Sequence, residues 1–275
     1  MSDFQSLPPL REIIRAHDLR AEKSLGQNFL LDLNLTDKIA RFAGDLSGVT
    51  VFEIGPGPGG LTRGLLKAGA KKIIAIECDP RAIVALQSLV EVSEGRVEVI
   101  EADALSVDLL SIANKKPFKI VANLPYNIAT PLLVGWLCQI HETPALFNSM
   151  TLMFQKEVAD RLAALPKTKA YGRLSVLAQW LCHVKKVMTL PPGAFTPPPK
   201  VSSTVVHFIP KEKEPQQPAF AALESLTAAA FGQRRKMVRS SLKEYLPLME
   251  EMGMNTSLRA EDLSVADYVS LAKRL

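Results

Sequence analysis

The stretch that most restricts the fold is residues 50–60, TVFEIGPGPGG, where an apolar run carrying Val51, Phe52 and Ile54 meets four glycines. Branched and aromatic residues suit a pleated strand. Glycine tolerates positive φ and lets main chain come close to a bound molecule. Residues 61–68 then read as a helix whose N-terminus opens at the same point. A strand, a glycine turn and a helix in that order belong to an α/β layer, in which ligands bind at the carboxyl ends of the strands. The spacing of Gly55, Gly57 and Gly60 also satisfies G-x-G-x-x-G, the fingerprint of dinucleotide-binding oxidoreductases. Pro56 and Pro58 fill variable positions of that pattern, however, and remove two amide donors that a pyrophosphate cradle would use.

The next segments extend the layer. Residues 72–77, KIIAIE, end in Glu77 about one βα unit after the glycines, where a carboxylate accepts the hydroxyls of a ribose. Asp79 reads as the cap of a helix over 80–90. Residues 97–102, VEVIEA, make a third strand, and Asp103 behind it is placed to bond an adenine amino group; residues 118–122 make a fourth. Strands alternating with helices over short connections argue a doubly wound parallel sheet. Two nucleoside-binding acids, Glu53 inside the first strand and a turn poor in amide donors suit S-adenosylmethionine, a nucleoside without phosphate.

The chemistry is expected at residues 120–126, IVANLPY. Pro125 cannot donate to a sheet ladder, so the strand ends where the Asn123 amide, the Leu124 carbonyl and the Tyr126 ring begin. The plainer reading is an ordinary strand exit with Asn as a turn residue. The uncharged run 120–141 holds Asn123, Pro125, Asn127 and Pro131, which excludes a membrane span. The start, MSDFQSLPPLREII, has Asp3, two prolines and no apolar core, so a cytoplasmic protein is expected. Residues 8–17 read as a helix with Leu10, Ile13, Ile14 and His17 on one face, and Gly26, Gln27 and Asn28 interrupt an apolar stretch before a helix over 34–42. Cys78, Cys138 and Cys182 are odd in number and far apart, which reads as reduced core thiols. His17, His141, His183 and His207 show no metal spacing, and no metal is expected.

Charge is segregated. Residues 161–211 contain no Asp or Glu and carry +8 from Arg161, Lys167, Lys169, Arg173, Lys185, Lys186, Lys200 and Lys211. Residues 225–243 add +5 from Arg234, Arg235, Lys236, Arg239 and Lys243, so with a net charge of +5 the remainder carries 5 − 13 = −8. A lone charge run is usually a solvated face. Two acid-free basic runs in one chain point to a polyanion, because each cation that meets a phosphate releases condensed counterions.

The order EIGPGPGGLT, the acid at Glu77, EADAL around Asp103, and NLPY resembles the adenosine-specific class I S-adenosylmethionine-dependent methyltransferases. QNFL near the start, FQKEVADRL at 154–162, YGRLSV at 171–176, FTPPPKVSS at 195–203 and FGQRRKMVRSSLK at 231–243 are similar to the bacterial KsgA/RsmA ribosomal RNA adenine dimethylases. The resemblance spans nearly the whole chain. It implies a Rossmann-like, seven-stranded sheet with an antiparallel last strand, for which residues 201–208, VSSTVVHF, are the candidate, and a small C-terminal all-α domain. The corresponding units are a catalytic domain over 1–210 with a cover at 1–35, a linker at 211–218, KEKEPQQP, and a helical RNA- and ribosome-binding domain over 219–275.

The resemblance further implies that Asn28, Leu30, Gly55, Glu77, Asp103 and Asn123 hold S-adenosylmethionine. An adenine amine is a weak nucleophile because its lone pair is delocalised into the ring. Acceptors at the Asn123 side-chain oxygen and the Leu124 carbonyl would localise that pair, with Tyr126 and Phe195 stacking on the two faces of a base taken out of its helix. Phe195 before a proline-rich turn is otherwise a core anchor. The implied partner is 16S ribosomal RNA within the 30S subunit, modified at two adjacent adenosines of the 3′-terminal hairpin loop by a monomer, with Arg234, Arg235, Lys236 and Arg239 contacting RNA. The rival readings are a 23S ribosomal RNA methylase of the macrolide-resistance type, a non-catalytic ribosome-assembly factor and a nicotinamide-dependent oxidoreductase.

Overall fold

The computed structural model describes residues 7–22, 26–233 and 235–275. Helix α1 (Leu10–Ala16) and the short strand β1 (Phe29–Leu30) precede α2 (Leu33–Phe42), and the alternation expected from the glycine turn follows: β2 (Thr50–Ile54), α3 (Gly60–Lys67), β3 (Lys72–Glu77), α4 (Pro80–Val92), β4 (Val97–Glu101), α5 (Leu109–Ile112), β5 (Phe118–Ala122), α6 (Ala129–Glu142) and β6 (Phe147–Gln155). Helices α7 (Lys156–Leu162) and α8 (Arg173–Leu181) lead to β7 (Cys182–Leu190), β8 (Phe195–Thr196) and β9 (Ser203–Pro210). The chain closes with α9 (Phe220–Gly232), α10 (Val238–Ser241), α11 (Leu246–Glu251) and α12 (Val265–Ala272).

Seven strands form one sheet in the order β4-β3-β2-β5-β6-β9-β7. The first five are parallel, and β9 runs antiparallel to both β6 and β7. The last strand is therefore antiparallel, as expected, and it enters between two others; it begins at Ser203, leaving Val201 exposed. Because the chain winds outward from β2 through β3 to β4 and then returns to β5 and β6 on the other side, β2 and β5 flank the topological switch point, where open sheets bind ligands.

Alternation of side chains divides the core. Val51, Ile73 and Val121 pack with α2 and α3 residues such as Ile39, Leu65 and Leu66, whereas Phe52, Ile74 and Ile120 face Leu133, Trp136 and Leu137 of α6. The second cluster continues without a break into the C-terminal helices through Phe220, Leu223, Leu226 and Tyr268, and the Phe231 and Tyr268 rings lie 5.6 Å apart. Residues 211–219 form neither helix nor strand.

Two readings need correction. Only Cys182 is a core thiol; Cys138 is half-buried and Cys78 is exposed, because it stands one residue beyond the end of β3. His17 is exposed beyond the end of α1, which buries only Leu10 and Ile13, so the apolar face of that helix is shorter than its spacing suggested.

Candidate active site

The carboxyl ends of β2, β3 and β5 and the segment 26–30 line one cleft. Gly57 sits in the left-handed region at φ +53°, and a Cβ there would meet the Phe29 ring at 3.0 Å, so the turn must be glycine to lie beneath the N-terminal segment. That segment is fastened at both sides. Gln27 Nε2 donates to Asp79 Oδ2 at 3.1 Å, and Asn123 Nδ2 donates to the Asn28 carbonyl at 3.0 Å. Asp79 also caps α4, as expected, by accepting from the Arg81 backbone N–H, and it pairs with the Arg81 guanidinium, which holds its carboxyl down at about 2.

Two carboxylates line the cleft. Glu77 is 5% exposed; its Oε2 accepts from the Gly57 N–H at 3.1 Å, and its Oε1 from the N–H groups of Cys78 and Asp79 at 2.9 and 3.0 Å. Burial raises its carboxyl and these three bonds oppose that rise. A carboxylate has about four lone-pair positions. A two-pronged grip on a ribose therefore requires the Gly57 N–H to yield its place. Glu53 is 1% exposed and differs: Oε2 has no hydrogen bond, and burial, eased slightly by Thr62 and reinforced by the charge of Glu77, pushes it up to about 8.

At the end of β5, the commitment of Asn123 Nδ2 to Asn28 leaves Oδ1 as an acceptor. The Ile128 N–H turns to the Pro125 carbonyl, and no turn N–H takes the neighbouring Leu124 carbonyl. Among the described residues neither acceptor is taken, and both stand on one Pro-containing turn. Tyr126 is half-buried, its hydroxyl hydrogen-bonded to the Ser203 hydroxyl at the start of β9; burial raises its phenol and Ser203 counteracts that. This bond fixes the ring plane at the cleft wall.

Asn28, Leu30, Gly55, Glu77, Asn123, Leu124 and Tyr126 all line the cleft. Asp103 does not: it is exposed, and its carboxylate caps its own turn by accepting from the Leu105 N–H at 2.9 Å. It stands one strand over, next to Glu77, whose carbonyl accepts from the Ala102 N–H at 3.0 Å. Phe195 is also outside the lining. It is 3% exposed, paired with Leu30 in the two-stranded β1–β8 ladder and packed with Leu190 and Val205, so in this state it is a core anchor one layer behind the cleft and not an open stacking face. Arg235, Lys236 and Arg239 are exposed around the start of α10, far along the chain from the cleft; Arg234 lies outside the described residues. Sequence reasoning passed over Gln27, Phe29, Cys78 and Ser203 and gave Glu53 only a supporting part. The signal for Glu53 was an acid inside a five-residue apolar strand, a place that needs a reason.

The wall fits S-adenosylmethionine. It offers two buried acids to a cation, and no Lys or Arg occurs among its described residues, so a dinucleotide pyrophosphate would meet like charge. The Gly57 N–H, the donor a phosphate would seek, is already given to Glu77.

A family model for ribosomal RNA adenine dimethylases matches residues 18–275. The Ribosomal RNA small subunit methyltransferase A of Ruegeria sp. (strain TM1040) is 56% identical over 280 residues, covering 100% of this chain and 99% of the relative. Among solved structures, a dimethyladenosine transferase from Plasmodium falciparum is 30% identical with a TM-score of 0.73, covering 87% of this chain and 94% of its own. The 23S ribosomal RNA methyltransferase ErmE is 25% identical with a TM-score of 0.67, covering 90% and 99%. With the switch-point cleft and its acidic floor, these matches establish that the chain is an S-adenosylmethionine-dependent enzyme and belongs to the ribosomal RNA adenine dimethylase family.

Proposed function

We propose that this chain dimethylates N6 of two adjacent adenosines in the 3′-terminal hairpin loop of 16S ribosomal RNA, acting as a monomer on the small subunit in the cytoplasm. The observation that carries the reading is the pair of acceptors at the end of β5, Asn123 Oδ1 and the Leu124 carbonyl, kept available because the Asn123 amide nitrogen is spent on Asn28. They accept hydrogen bonds from the two N–H groups of the adenine amine in the first transfer and from the single N–H left in the second, drawing the lone pair out of the ring toward nitrogen, and the N–H made acidic by each transfer gives its proton to solvent. No general base of matched pKa is then needed, and positioning lowers the barrier by several kcal/mol, up to about 7 to 11. Bound S-adenosylmethionine supplies a methyl group activated by its sulfonium.

Tyr126, with its hydroxyl tied to Ser203, offers a fixed ring to the flipped base, an interaction of about 1 to 3 kcal/mol. Asn28, Leu30, Gly55, Glu77 and Asn123 hold the cofactor, and Asp103 joins them on the adenine side by turning from its cap to the base. Arg235 and Lys236 on the connection from α9 to α10, and Arg239 at the start of α10, meet the RNA, together with Arg234 next to them in the sequence. Similarity to a relative named for the small subunit, at 56% identity against 25% for the large-subunit enzyme, supports this substrate over the resistance-type one. No helix of the described residues is long and apolar enough to cross a membrane.

The test is methyl incorporation from labelled cofactor into 30S particles taken from a strain lacking the modification. Two methyls on each of two adjacent loop adenosines are expected. Methylation confined to a large-subunit adenosine would assign the chain to the resistance type, and RNA binding without incorporation would make it an assembly factor.

A further inference from the structure

The described wall of the cleft carries two acids, and they are treated differently by the fold. Glu77 is met by three backbone N–H groups. Glu53 has none. Its Oε2 is buried without a hydrogen bond, and the only charged group acting on Glu53 among the described residues is another acid, Glu77 of β3. Arg63, also on α3, is turned away to the Pro8 carbonyl at 2.9 Å. A carboxylate so placed is costly to ionise unless a cation comes beside it.

We propose that Glu53 makes cofactor binding proton-linked: its carboxyl is protonated in the free protein and releases the proton when a cationic group of S-adenosylmethionine enters the cleft. The O–H bond of Glu53 breaks, the proton passes to the buffer, and the resulting carboxylate pairs with the incoming cation. This rests on the cofactor reading of the cleft. Burial holds the free carboxyl at about 8. At pH 7 about nine-tenths of the free protein then carries the proton. The cofactor has two candidate cations, the sulfonium and the α-ammonium, and the demethylated product retains only the second.

Calorimetric titration of the full chain with S-adenosylmethionine at pH 7, repeated in buffers of different ionisation heat, counts the protons released. Most of one proton is expected from the chain and none from Glu53→Gln, which keeps the size and neutrality of the protonated acid. Affinity of the unaltered chain should rise between pH 6 and 8 by up to tenfold per unit, as one displaced proton requires, and stay flat for Glu53→Gln. Repeating the titration with S-adenosylhomocysteine locates the cation: release with both ligands assigns the ammonium, release with S-adenosylmethionine alone the sulfonium, and either result upholds the linkage. If Glu53→Gln does not fold, the proton count of the unaltered chain decides. Binding of S-adenosylmethionine with no proton released and no pH dependence would overturn the role of Glu53 while leaving the cofactor reading intact; absence of any binding would remove both.

Discussion

Glu53 and Glu77 stand on adjacent strands of one cleft, yet the first has a carboxylate oxygen with no partner and the second has three N–H partners. For Glu53 the stability consequence has a definite sign. Its carboxyl rises from 4.5 in the unfolded chain to about 8 in the folded one, so the folded state binds more protons between those values and stability falls as pH rises through that window. Glu53→Gln should remove this slope and make the ligand-free protein more stable at pH 8 by on the order of a few kcal/mol, read from urea unfolding at several pH values. Glu77→Ala should weaken S-adenosylmethionine by about 1.5 to 3 kcal/mol in calorimetry, the range for bonds to a charged group. It should also lower thermal stability, since the buried N–H groups of Gly57 and Asp79 and the part-buried one of Cys78 lose their acceptor. Unchanged cofactor affinity would remove Glu77 from the ribose. Asn123→Ala should cut methyl transfer far more than RNA binding, because its bond to the amine strengthens as nitrogen attacks. Turnover near normal at saturating cofactor and RNA would refute that role. The place of Asn123, Leu124, Tyr126 and Glu77 on the cleft wall was legible in the sequence because each ends or follows an apolar strand with a polar group that a strand exit does not require. For Phe195 the sequence left two readings, a stacking face and a core anchor, and what decides for the second is its pairing with Leu30 across 165 positions of chain and its packing with Leu190 and Val205.

At the scale of elements, β3 and β5 fell on the residues their apolar runs marked, and α2, α3, α4 and β4 lay within two residues of expectation. Strands β6 and β7 carried no such mark. Phe147–Gln155 is buried along nearly its whole length and so lacks the alternation of a half-exposed strand, and Cys182–Leu190 is an edge strand whose Lys185 and Lys186 read as part of a basic run. Close approach between elements makes a test. A Cβ on Gly64 of α3 would meet the Thr36 carbonyl oxygen of α2 at 2.9 Å, whereas one on Gly135 of α6 would meet nothing within 4 Å. Alanine is the better helix former by about 1 kcal/mol in both places. Gly135→Ala should therefore stabilise by about 0.4 to 1 kcal/mol, and Gly64→Ala should destabilise by about 1 to 3 kcal/mol, because the crowding atom is backbone and cannot rotate away. Equal shifts in the urea midpoint would show that α2 and α3 separate at little cost.

At the scale of the molecule, the two basic runs separate once their partners are seen. In the first, Arg161 pairs with Glu157, Arg173 with Glu224 and Lys186 with Asp160, and Lys211 Nζ donates to the Gln179 carbonyl. The run contains no acid, but the fold brings acids to it from elsewhere, which no linear count reveals. In the second, Arg235, Lys236 and Arg239 are exposed and make no ion pair among the described residues. They meet phosphate without first breaking an ion pair, as do the exposed Lys167, Lys185 and Lys200 of the first run. Replacing Arg234, Arg235, Lys236 and Arg239 with Ala should weaken binding to the small subunit and flatten its salt dependence by about 0.7 to 0.9 on the log–log scale for each phosphate that is no longer neutralised. Fold stability should hold, because no described ion pair depends on the three residues seen. Chemistry should hold too, since Asn123, Leu124 and Tyr126 belong to the sheet's carboxyl edge, and single-turnover methylation at saturating subunit should stay near the unaltered rate. Loss of turnover at saturation with an unchanged salt slope would mean that these side chains support the catalytic arrangement and do not grip RNA; an unchanged slope with unchanged turnover would move the RNA-binding face to the first run, where Lys167, Lys185 and Lys200 are exposed.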